Sequence, residues 1–269
     1  MDGSDGVSED MKIYDIEQIH GWFDNYVNSF ASGGKLPDIS EIKRAHSYEV
    51  ESVGRRIAAE MKWNSDYALL GTAASLLHDT GRFSQFRDYG TLYDASSVDH
   101  GERGYEELVR FFPKEYADED GYNAIIESVR WHNKKKLTEE VERIYLPFCK
   151  LVRDADKIDV FRLVQDHIIS GKVEELLPRH KISAPLSEPF LNEVEEHGYS
   201  SYKNVSSLAD FLLMQVTWLL DINYAASMKI LDELGSVEKI IEQLPLNPKA
   251  LNVLEGLLEK IDKYRSSLA

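Results

Sequence analysis

From Ile13 to Tyr264 the apolar residues of this chain recur at steps of three and four, and no stretch alternates between turn signals as a strand would. Such a pattern supplies amphipathic helices and nothing from which to build a sheet, so the expected fold class is all-α. Helices are predicted over 13–31, 40–62, 65–78, 97–112, 121–132, 143–170, 186–196, 205–233, 235–243 and 247–266. Pro37, Gly81, Gly90, Pro113, Gly171, Pro178, Pro185 and Pro245 punctuate them at loop positions. The polar, acidic residues 1–10 read as a tail, 11–170 as a helical core, and 171–269 as a C-terminal helical cap packed on that core. The segment 172–204, rich in Pro, Ser and Glu, lies where the two would meet.

Composition removes several function classes. The formal net charge is −16, from 31 basic and 47 acidic residues. A surface so acidic repels phosphate backbones, so no nucleic-acid polymer is expected as a partner. A small anionic substrate stays compatible, because a bound cation reverses the field inside a pocket. With Cys149 as the single cysteine, a disulfide framework within the chain is excluded. Met1 to Asp10 has no apolar core and does not read as a secretory signal. The most apolar stretch, Leu208 to Leu220, is too short to span a bilayer and is broken by Asp210, Gln215 and Thr217. No membrane partner is expected, and the cytoplasm is the expected location.

The histidines carry the functional signal. His46 precedes Val50, Val53, Ile57 and Met61 at four, seven, eleven and fifteen residues, which keeps it on an apolar stripe. His78 follows Leu70, Ala74 and Leu77; His132 follows Ile125 and Val129; His100 precedes Gly104, Leu108 and Phe111. Asp156 stands midway between Val152 and Val160. Singly, each imidazole could be a core histidine bonded to a carbonyl. Together, four imidazoles and a carboxylate on inward faces call for a cation, since a buried carboxylate is costly unless paired or coordinating. Arg153, three residues before Asp156, is the one local rival to a metal. Mixed nitrogen and oxygen donors suit one or two divalent transition metal ions: manganese, iron, nickel, cobalt or zinc. Asp79, beside His78, can join the set if the helix loosens there, and Gly81 offers a reason for it to do so.

The run Leu76-Leu77-His78-Asp79-Thr80-Gly81-Arg82-Phe83 resembles the signature of the HD-domain superfamily of metal-dependent phosphohydrolases. The order of motifs strengthens the likeness: Ala45-His46-Ser47, then the His-Asp pair, then Ala155-Asp156-Lys157. Gly81 through Asp99-His100-Gly101 also resembles a bacterial branch of that superfamily. The resemblance implies that His46, His78, Asp79 and Asp156 bind a first metal, with Asp79 bridging to a second. His100 and His132 occupy the place of the two further histidines found in dinuclear members. Asp154 and Asp159 are rivals for the last ligand. Asp156 is preferred because it follows Ala155 as in the family pattern, whereas Asp154 points about 160° away, on the face of Lys150 and Lys157.

The expected function is therefore metal-dependent hydrolysis of a small phosphate ester, a nucleotide first among candidates, by metal-activated water. No Walker loop and no nucleophile elbow compete with that reading. Arg82 and, after it, Lys134 are the expected substrate-binding cations. Gln85, Arg87 and Tyr89 are read as loop residues, and His20, His167, His180 and His197 as lying outside the chemistry. Two other classes share the ligand pattern: a di-iron oxygenase of a small polar substrate, and a non-catalytic regulatory module stabilised by metal. The C-terminal helices are expected to cover one mouth of the site or to form a homodimer face.

Overall fold

The computed structural model describes residues 11–268. The expected tail at 1–10 lies outside the described residues. Within them the chain forms thirteen α-helices and four short 3-10 turns, with three isolated bridges and no strand. The fold is all-α, as the apolar spacing requires. No helix among the described residues is long and apolar enough to cross a membrane. The chain divides into two compact units, 1–159 and 160–269, the boundary falling inside a long helix.

The first unit contains α1 (Ile16–Asn28), α2 (Asp38–Glu60), α3 (Ser65–Leu77), α4 (Thr80–Tyr89), α5 (His100–Phe111), α6 (Glu119–Trp131) and the first part of α7 (Leu146–Ile169). Side-chain caps fix several starts. Asn64 accepts from the Tyr67 amide, Asp99 from the amides of Gly101 and Glu102, and Asp118 from that of Gly121. α2 packs on α3, α3 on α6, α4 on α5 and α5 on α6. Ile19, Phe23, Val50, Ile57, Leu70, Leu108, Ile125, Val129, Phe148 and Val152 are fully buried between them.

Two glycines let the helices that carry the histidines pack closely. A Cβ at Gly54 would lie 2.3 Å from Ser75 Oγ and 3.0 Å from Ser75 Cβ, so glycine there brings α2 against the Ser75 side chain of α3. A Cβ at Gly81 would lie 2.3 Å from His100 O and 2.5 Å from Gly104 N, which brings the start of α4 against the start of α5. This corrects the sequence reading of Gly81. Its backbone is not in the left-handed region and it does not loosen a helix end. The break comes earlier, at Asp79 (φ −97°, ψ 17°), and Gly81 serves close packing.

The second unit continues with α8 (Val173–Leu176), α9 (Glu188–His197), α10 (Leu208–Thr217), α11 (Ala225–Leu234), α12 (Ser236–Gln243) and α13 (Pro248–Ser267). α9 packs on α13, and α10 and α11 on α12. The single helix expected over 205–233 is interrupted. α10 passes into a 3-10 turn at Trp218–Asp221, and an extended Ile222 precedes α11. Tyr264 Oη donates to the carbonyl of Ile222 at 2.7 Å, a long-range contact that no local pattern announces.

Candidate metal centre

α3 ends at Leu77 and α4 begins at Thr80, so His78 and Asp79 form the joint between two helices. That joint turns two consecutive side chains toward the same point. His46 on α2, Asp156 on α7, His100 at the first turn of α5 and His132 at the end of α6 face it from four other segments. His46, His78, Asp79, His100 and His132 are buried, and the Asp156 side chain keeps 27% of its exposure.

Two overlapping groups result. Around Asp79 Oδ2 stand His78 Nε2 at 3.5 Å and His46 Nε2 at 3.8 Å, and Asp156 Oδ1 lies 3.0 Å from His46 Nε2 and 3.6 Å from His78 Nε2. Around Asp79 Oδ1 stand His100 Nε2 at 3.6 Å and His132 Nε2 at 3.7 Å. Asp79 thus presents one oxygen to each group. The donor atoms of His46, His78 and Asp156, and those of His78, Asp79 and His132, are close enough to hold an ion.

The tautomers are set from behind. The Nδ1–H of His46 donates to Asp159 Oδ2 at 2.6 Å, that of His78 to Ser75 O at 2.8 Å, that of His100 to Asp94 Oδ2 at 2.6 Å, and that of His132 to Val129 O at 2.6 Å. With Nδ1 held from behind, each ring turns Nε2 toward the centre, the nitrogen through which it would coordinate an ion. Buried His78 Nε2 has no hydrogen-bond partner. A cation answers that orphaned lone pair, and the nitrogen and oxygen donors match a divalent transition metal. The residues present fit such an ion.

Electrostatics agree with the geometry. Burial would raise the Asp79 carboxyl, but Lys43, then His78, His132 and Arg82 beside it hold it well below the usual carboxylate range. Burial likewise acts against Asp156, and the His46 and His78 imidazoles beside it hold it well below the usual carboxylate range. Burial, with Arg82 behind it, pushes His100 down to about 4. Burial also lowers His78. His46 goes the other way: burial and Lys43 press it down, but the carboxylates of Asp156 and Asp159 raise it.

The remaining candidates fall into place around this centre. Arg82 Nε stands 3.4 Å from Asp79 Oδ1, while its Nη1 donates to Leu92 O, Asp94 and Gln85. Lys134 Nζ is paired with Asp99 at 2.7 Å and Glu102 at 3.1 Å. Arg153 sends Nη1 to the carbonyls of Trp131, His132 and Lys134, and so ties α7 to the segment that carries His132. Asp159 lies on the far side of the His46 ring. Asp154 was expected on the lysine-bearing face of α7, yet it is fully buried, because α7 is covered on both sides there. Gln85, Arg87 and Tyr89, expected in a loop, lie on α4; Gln85 donates to Asp94, Ser97 and Val98.

Two residues escaped the sequence reading. Lys43 Nζ lies 2.6 Å from Asp79 Oδ2. Its signal was present, since it sits three residues before His46 on the same helix. Asp94, which holds His100, Arg82 and Gln85 at once, stands in a short 3-10 turn with no periodicity to mark it.

Residues 44–160 match the family model described as HD domain. No curated protein and no solved structure matches the chain.

Proposed function

Because this chain carries an HD domain over residues 44–160, a fold unit of metal-dependent phosphohydrolase type, we propose that it hydrolyses a small phosphate ester, a nucleotide first among candidates, at a two-ion centre. The observation that carries the reading is the convergence of four Nε2 atoms and two carboxylates, each ring held at Nδ1 by an oxygen behind it. His46, His78, Asp156 and Asp79 Oδ2 would hold one ion; His100, His132 and Asp79 Oδ1 would hold the other. Ions so bound would supply a water nucleophile at neutral pH and a clamp on the phosphoryl oxygens.

The protein's own part is to keep the donors free of protons and aimed. Asp159 and Asp94 hold Nδ1 of His46 and His100, which leaves Nε2 as the nitrogen that would take an ion. Asp79 offers both oxygens inward from the α3–α4 joint. Asp156, the most exposed of the six, marks the side from which substrate enters. Arg82 brings positive charge beside Asp79 Oδ1 for a substrate phosphate. The substrate is anionic, and nothing in the acidic surface favours a nucleic-acid polymer.

The test is metal analysis of the purified protein followed by turnover assays. Close to two transition metal ions per chain, with release of phosphate from nucleotides or simple phosphate esters in manganese, cobalt or nickel, is the expected result. Firmly bound iron with dioxygen uptake and no phosphate release would overturn it in favour of oxygen chemistry. Bound metal with no turnover of any kind would leave a regulatory module.

A further inference from the structure

The contact between Lys43 and Asp79 is the shortest that either oxygen of Asp79 makes among the described pairs: Nζ to Oδ2, 2.6 Å. Oδ2 is also the oxygen that faces His46 and His78. One carboxylate oxygen is thus presented both to a fixed ammonium and to the place where two imidazoles converge. The Lys43 side chain is only 18% exposed where it stands against Asp79. Its stem has four rotatable methylene groups, and Asp156, against the His46 ring three residues along α2, is the most exposed of the six candidate ligands.

The geometry points to Lys43 as a displaceable counter-ion: it holds Asp79 in the metal-free protein, yields Oδ2 to an incoming ion, and then offers its ammonium to a substrate phosphate at the mouth. The last step rests on the phosphate-ester reading above; the first two do not. The argument has two parts. A buried carboxylate without a cation is costly, so the metal-free chain needs Lys43 to keep Asp79 in position. Two cations on one carboxylate oxygen repel, so the same lysine opposes metal binding until it moves. Once moved, a lysine beside a metal site is a point charge with three donors and no acceptor, suited to a phosphate oxygen.

The experiment compares wild type with Lys43→Gln, which keeps a donor and removes the charge, and Lys43→Arg, which keeps the charge. Manganese affinity is measured by competition with a chelating dye. Inorganic phosphate binding to the manganese-loaded protein is then measured by calorimetry. Lys43→Gln should bind manganese about tenfold more tightly and lose most phosphate affinity, and Lys43→Arg should stay near wild type in both. Unchanged or weaker manganese binding in Lys43→Gln overturns the proposal. Tighter manganese with unchanged phosphate binding overturns its second half. If neither protein binds phosphate while manganese behaves as expected, the phosphate-ester reading fails and the counter-ion role stands. Should Lys43→Gln fail to fold, amine labelling of the wild-type chain decides. Lys43 should react faster once manganese is added and be protected again by phosphate; labelling indifferent to manganese sinks the idea.

Discussion

The Nε2 atoms of His100 and His132 lie 3.0 Å apart, and both rings have their Nδ1 proton bonded to an oxygen behind them. Two nitrogen lone pairs at that separation repel unless a proton or a cation lies between them. His100→Ala should therefore lower the metal content from two ions per chain toward one, and Asp79→Ala, which removes an oxygen from each group, should abolish both binding and activity while far-ultraviolet circular dichroism stays helical. Elemental analysis reads the count. Two ions retained in His100→Ala would mean that its imidazole is not a ligand.

Asp94 stands behind His100 and beside Arg82. Asp94→Asn can no longer hold the His100 imidazole as a charged acceptor, and losing the acceptor behind a ligating histidine weakens metal binding by roughly 10- to 100-fold. The loss should fall on the second ion alone. Asp159→Asn, acting behind His46, should weaken the first. Stepwise metal titration of the two variants separates these effects, and identical titration curves would contradict the division into two groups.

Gly81 and Gly256 offer opposite tests of helix packing. A methyl at Gly81 would meet the backbone of His100 and Gly104, whereas nothing lies within 4 Å of one at Gly256 in α13. Gly81→Ala should destabilise by about 1–3 kcal/mol through overpacking. Gly256→Ala should stabilise by about 0.5–1 kcal/mol, since alanine restricts the unfolded chain and favours helix. Urea unfolding of each variant gives the comparison.

Glu193 supplies a pH dependence far from the histidines. Its carboxylate accepts from Ser200 Oγ, the Ser201 amide and Asn204 Nδ2, and the hydrogen bond from Ser200 leads in lowering it to about 2 from 4.5. A carboxyl lowered on folding contributes stability that is present above its unfolded value and lost as pH falls through the folded one. Hydrogen exchange at Ser201 and its neighbours should accelerate, relative to the intrinsic rate, as pH falls from about 4.5 toward 2. Glu193→Gln should flatten that dependence; a profile identical to wild type would remove Glu193 from the account.

Helical periodicity carried most of the fold, because a buried helical face writes itself into the sequence every three or four residues. It placed His46, His78 and His132 on inward faces, and these are buried. It failed where no period exists. α4 went unread because Thr80–Tyr89 is polar and short, with a glycine near its start. The interruption near Ile222 depends on Tyr264, forty-two residues on, and no window contains both. Asp154 misled because α7 is covered on opposite faces, so an inward carboxylate need not share the apolar stripe. Asp94 was illegible for a plainer reason: its role is defined by three partners at different distances along the chain, and only the folded backbone brings them to one carboxylate.

The ligand segments span residues 46 to 156, in a chain with one cysteine and no disulfide. An ion shared among them is a cross-link that closes long loops of the unfolded polypeptide. Closing such loops removes disorder that unfolding would otherwise regain, and the gain rises with the logarithm of loop length. Stripping the ions should therefore lower the unfolding temperature of the first unit and leave its helices formed but easier to melt. If metal holds the chain this way, its availability would set how long the chain survives as well as whether it works.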